Sequence, residues 1–102
     1  MARIIRGTTP TIKFTYADIT VSAITTAILT VKQNGTDIIT KDLTDATIGA
    51  DYISWTLTQT ETLSLGKTGV VIVCDWVTTD GTRGRSNILN ATIGEPAVNE
   101  VI

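Results

Sequence analysis

The 102-residue sequence has no histidine, one cysteine, two prolines and only five aromatic residues. Each shortage removes a class of function. Without histidine there is no Ser–His–Asp or Cys–His catalytic set and none of the usual histidine-containing zinc sites. The lone Cys74 can neither close a disulfide within the chain nor build a thiolate metal site, which excludes a disulfide-stapled secreted scaffold and points to folding in a reducing compartment. No apolar run approaches the ~20 residues of a membrane helix. The opening Met1-Ala2-Arg3-Ile4-Ile5-Arg6 lacks the apolar stretch of a secretory signal. No GxxxxGK(S/T) phosphate loop occurs. Positive charge is scarce too: the net charge is −2 and the sequence pI about 4.8, with weak basic clusters only at Arg3/Arg6 and Arg83/Arg85, so nucleic acid is not an expected partner.

What is abundant is threonine, at 21 residues, beside many Ile and Val. These β-branched side chains are stiff at χ1 and suit a pleated surface better than a helix. With 42% apolar residues the chain can bury one core, and its length fits a single domain over residues 1–102.

Alternation of period two recurs between turn signals. Residues 11–16 place Ile12, Phe14 and Tyr16 on one face. Residues 27–32 and 36–41 flank Asn34-Gly35, the preferred pair for a two-residue hairpin turn. After the polar stretch 42–51, residues 52–58 place Ile53, Trp55 and Leu57 on one face. Thr58 and Glu61 then have the spacing of a helix capping box, predicting one short helical turn ended by Gly66. Residues 70–77 form the longest apolar run. A turn at Asp80-Gly81 leads to a last strand over about 85–93, with Ser86 placed to satisfy a backbone group where it begins. About seven short strands with one helical turn predict an all-β fold, an antiparallel, immunoglobulin-like β-sandwich without the Cys–Trp–Cys hallmark.

Candidate chemistry is thin. Asp42, Asp45 and Asp51 share a polar stretch but do not match an EF-hand loop, and a solvated loop is the expectation. Trp55 and Trp76 fall in phase with core residues, as does Cys74, which reads as a small buried hydrophobe rather than a reactive thiol. Only Tyr52 sits clearly on an outward face, too little for a sugar platform, so sugar binding is not expected. No enzyme activity, cofactor or metal is anticipated.

The interaction candidates are apolar. With Val70, Ile72, Cys74 and Trp76 facing the core, Val71, Val73 and Val77 face outward, where a solvated antiparallel strand is normally polar. That stripe is either an interaction surface or is covered by a neighbouring segment such as the closing residues 94–102. The apolar ending Val98, Val101 and Ile102, and the opening Arg3 and Arg6, complete the candidate contacts.

Several motifs occur together in order: Arg6-Gly7-Thr8-Thr9-Pro10-Thr11, then Leu57-Thr58-Gln59-Thr60-Glu61-Thr62-Leu63, then Asp80-Gly81 followed by Ser86-Asn87-Ile88, and finally Asn99-Glu100-Val101-Ile102. This series resembles, over essentially the whole chain, a family of small proteins of about this length encoded in phages and prophages of Firmicutes-type bacteria. The resemblance implies a virion structural protein of the tail or baseplate, made in the bacterial host cytoplasm, whose partners are other virion proteins or copies of itself. A capsid decoration protein and a carbohydrate- or receptor-binding module are the alternatives. Relatives tend to carry polar residues on the outward face of the long strand, where this chain has Val71, Val73 and Asp75.

Overall fold

The computed structural model describes residues 2–17, 19–86 and 88–102; Met1, Asp18 and Asn87 of the Ser86-Asn87-Ile88 motif lie outside it. The fold is all-β, as composition and alternation predict. The strands are β1 (Ala2–Ile5), β2 (Thr11–Thr15), β3 (Ile24–Gln33), β4 (Thr36–Lys41), β5 (Thr47–Ile48), β6 (Tyr52–Thr56), β7 (Val70–Thr78), β8 (Arg83–Arg85) and β9 (Leu89–Gly94). One short helix, α1 (Gln59–Leu63), joins β6 to the segment before β7.

Two sheets face each other across one core. The larger is ordered β1-β9-β7-β3-β4, with β8 also paired to β7; the smaller is β2-β6-β5. Period-two alternation sends Ile12 and Phe14 of β2, Ile53 and Trp55 of β6, Ala27, Leu29 and Val31 of β3, and Val70, Ile72 and Cys74 of β7 into the same apolar cluster. Trp55 meets Phe14 edge-on at 6.1 Å between ring centroids, and its indole N–H donates to the Asp42 carbonyl at 2.8 Å. That bond gives the one polar atom of the largest fully buried side chain a partner, and it anchors the 42–51 stretch. The stretch is not a bare loop: it holds a 3-10 turn at Leu43–Asp45, capped by Asp42, and then β5.

The local signals behave as their chemistry requires. Asn34 and Gly35 take φ of 54° and 78°, the left-handed pair of a tight hairpin between β3 and β4. The Thr58 hydroxyl accepts from the Glu61 N–H while the Glu61 carboxylate accepts from the Thr58 N–H, a complete capping box on α1.

The arrangement of strands departs from the expectation in three ways. There are nine strands among the described residues, divided six and three, where about seven were expected. The pairing is not wholly antiparallel: residues 2–5 form an unforeseen strand running parallel to β9, with Arg3 opposite Thr92 and Ile4 opposite Ile93. The expected strand over 85–93 is two strands. β8 pairs with the far half of β7 and β9 with its near half. Between them Ser86 bonds Cys74 twice, its N–H donating to the Cys74 carbonyl at 2.8 Å and its Oγ accepting the Cys74 N–H at 2.9 Å. A side chain thus replaces the backbone acceptor at that point of the ladder and lets the chain shift.

Candidate protein-protein interface

The first two of the ordered motifs are wired to each other. Gly7 has φ of 85° and donates its N–H to the buried Thr62 Oγ1 at 2.9 Å; that hydroxyl donates onward to the Thr8 carbonyl at 2.8 Å. Arg6 clasps the same corner, donating from Nη2 to the Leu63 carbonyl at 2.8 Å and pairing through Nη1 with Glu95 at 3.0 Å. The opening segment is therefore fastened to α1, and Arg6, expected as a free contact residue, is spent within the chain. Gln33, buried at the end of β3, makes three bonds to Gly66 and Thr68 and fixes the entry to β7.

The outward face of β7 also differs from expectation. Val73 is only 8% exposed, and Val71 and Val77 are half-buried. β7 is central, with β3 along one side and β8 and β9 along the other, so cross-strand neighbours close over it; Thr30 stands opposite Val73. Residues 94–102 are not the cover. They run beside Ile5, Arg6, Gly7 and Thr8, and the Gln59 side-chain amide holds the Ile102 backbone with bonds of 2.8 and 3.0 Å. Asp75 on the same face takes a two-pronged contact from Arg85 (2.7 and 3.3 Å) and one from Arg83 (3.2 Å); the Arg85 hydrogen bond comes first in holding its carboxyl below the usual range.

The exposed apolar surface lies elsewhere, at one long edge of the sandwich. The three-stranded sheet is too narrow to cover the larger one and stops at β2, leaving the Leu89 end of β9's inner side open while Ala91 stays buried. Leu89 is in register with the buried Ile72 yet remains 39% exposed, and Ile88 beside it is 59% exposed. A cleft of about 580 Å³ follows, lined by Ile4, Ile12, Ile72, Ile88 and Leu89 with Arg3 and Lys13. A second, of about 370 Å³, shares Lys13 and Leu89 with it and continues past Phe14, Tyr16 and Trp76 to Arg85. Together they run the length of β2.

The free side of β2 is open in hydrogen bonds as well. The Pro10 carbonyl and the Tyr16 N–H both bond towards β6. In an antiparallel ladder alternate residues share one direction, so Ile12 and Phe14 also bond towards β6. The N–H and C=O groups of Thr11, Lys13 and Thr15 aim away from β6, and among the described residues β2 has no other strand partner.

The remaining aromatic and thiol groups are committed. Trp76, expected in the core, packs against its edge half-buried, meeting Tyr16 edge-on at 6.2 Å, with Gly84 flat against its ring. Burial pushes the Cys74 thiol up, and burial with the 3.4 Å contact to Cys74 pushes the Tyr16 phenol up. Tyr52 lies under the Lys13 ammonium at 4.4 Å and against Gly49, which leaves it no open ring platform. Among the described residues no group of three His, Cys, Asp or Glu side chains is placed to hold a metal ion, and no helix is long and apolar enough to cross a membrane.

Of the sequence-predicted contacts, Arg3, Val98, Val101 and Ile102 are exposed, but only Arg3 lines the edge cleft. Ile88, Leu89 and Lys13 were missed. For Ile88 and Leu89 a signal was present, two consecutive large apolar residues in a stretch expected to alternate; for Lys13 there was none. The chain matches no known protein family, no curated protein sequence and no solved structure.

Proposed function

We propose that this protein is an assembly module whose task is to bind other protein chains along the open edge of β2. The observation that carries the reading is the juxtaposition of two features: unpaired backbone groups at Thr11, Lys13 and Thr15, and an apolar cleft ending in Ile88 and Leu89. An exposed sheet edge offers main-chain pairing, and an adjacent apolar groove supplies area and selectivity. A stable interface buries about 1,200 Å² or more in total, so the cleft serves as its centre and the neighbouring surface as its rim. The order of motifs along the chain supports placing the assembly in a phage particle, as a tail or baseplate component bound to copies of itself or to other virion proteins.

Light scattering of the full chain over a range of concentrations, beside Leu89→Lys and Ile88→Asp, tests this. The expected outcome is a mass above the monomer that rises with concentration and collapses in both variants, with thermal unfolding little changed. Assembly indifferent to both substitutions, or a monomer at every concentration, overturns the reading.

A further inference from the structure

Resting on that reading of the edge, the geometry points to a definite occupant: residues 98–102 of a second copy of this chain, added as a strand to the free side of β2.

Three properties of the two surfaces support the match. The first is length. β2 presents five residues, about 17 Å of strand, and Val98, Asn99, Glu100, Val101 and Ile102 supply five. The second is charge. Both clefts are lined by cations and no acid among the described residues: Arg3 and Lys13 in one, Lys13 and Arg85 in the other. Neither Arg3 nor Lys13 has an ion-pair partner among the described residues, the Lys13 ammonium lying over the Tyr52 ring. Residues 98–102 carry Glu100 and no cation, and Glu100 has no hydrogen-bond or ion-pair partner among the described residues. The third is exposure. Val98, Val101 and Ile102 are 46%, 57% and 84% exposed, and what holds the end of the segment in place is the pair of exposed bonds from Gln59 to Ile102.

One register joins the opposite charges in either strand direction, with Val101 as the tail's apolar residue on the cleft side. The side chain of Lys13 points to the outer face of the small sheet, and its backbone groups point to the open edge. Setting Glu100 opposite Lys13 puts the two charges side by side on that outer face, since directly opposed residues of paired strands share a face. Val101 then turns inward, over Ile12 or Phe14 according to strand direction, into the cleft beside Leu89. The alternative edge contact, β2 against β2 of a second copy about a two-fold centred on Lys13, sets like charges opposite each other. Tail-into-edge contact is head-to-tail, so repetition builds a closed ring, the smallest being a dimer that exchanges tails reciprocally, or an open filament.

Two singly disabled chains test the pairing: Val101→Asp, with a spoiled tail and an intact edge, and Leu89→Lys, with a spoiled edge and an intact tail. Each alone is expected to stay monomeric by light scattering, with self-association weakened by about ten-fold or more. Mixed, they are expected to form a one-to-one complex and nothing larger, because only one good tail and one good edge remain. Lys13→Glu and Glu100→Lys should each weaken wild-type association by up to roughly five-fold, and the double charge swap should restore it. A mixture that stays monomeric, or a swap that restores nothing, overturns the proposal. Assembly lost in Leu89→Lys but intact in Val101→Asp overturns the tail as occupant while leaving the edge as the binding surface. Assembly unaffected by either overturns both.

Discussion

Thr62 is the residue that fastens the bend at Gly7-Thr8 to α1, and nothing in its local sequence announces it. It is fully buried, and its single hydroxyl both accepts from the Gly7 N–H and donates to the Thr8 carbonyl. Replacing it with valine keeps volume and branching but leaves two inward-facing backbone groups without a partner, which costs about 1–3 kcal/mol. Urea unfolding of Thr62→Val should therefore show a lowered midpoint with an unchanged slope, whereas a Thr8→Val change, which leaves that carbonyl and the Thr62 hydroxyl in place, should cost less. The same distinction separates what the sequence could say about single residues from what it could not. Inward-facing Ile53, Trp55 and Leu57 were legible because burial follows period two. Thr62, Gln33 and Arg6 were not, because a polar residue becomes internal only when a distant backbone group needs it. Val73 shows the converse: its outward phase was read correctly, yet its central strand position buries it.

At the scale of elements, the legible parts are those whose partners lie close in sequence: the Asn34-Gly35 hairpin, and the capping box of α1. The cap carries a pH signature. Burial alone would raise the Glu61 carboxyl, but bonds from the Thr58 N–H and the Lys41 ammonium outweigh it and hold the group below its ordinary value. A carboxyl depressed in the folded state stabilises the fold fully above its unfolded-state value and loses that contribution as the pH falls through the folded one. Acidification from about pH 7 to about pH 3 should thus lower the unfolding midpoint of the wild type more than that of Glu61→Gln. Equal losses in the two proteins would mean that the cap is carried by Thr58 alone. The elements that escaped the sequence, β1 and the division of β8 from β9, depend on pairings some ninety residues apart or on the Ser86–Cys74 exchange. Alternation has no way of encoding these.

On the scale of the whole molecule, the decisive feature is a mismatch of widths that no single strand contains. Six strands form one layer and three the other, so one flank of the core ends at β2 with its outer backbone groups unpaired and Leu89 uncovered. Period-two phase marks apolar outward stripes but carries nothing of strand order, which hides the valines and opens the edge. The consequence can be read amide by amide. In dilute solution hydrogen exchange should be slow at Ile12, Phe14 and Tyr16, which bond towards β6, and fast at Thr11, Lys13 and Thr15, which face the open side. Raising the concentration into the assembling range should slow the second set and leave the first unchanged, while Val101→Asp should keep Lys13 fast at every concentration. Should Lys13 be protected already in the monomer, the edge of β2 is covered within one chain, and assembly must use another face. Protection that appears on assembly in the wild type and persists in Val101→Asp would instead keep the edge and replace the tail by a different incoming strand.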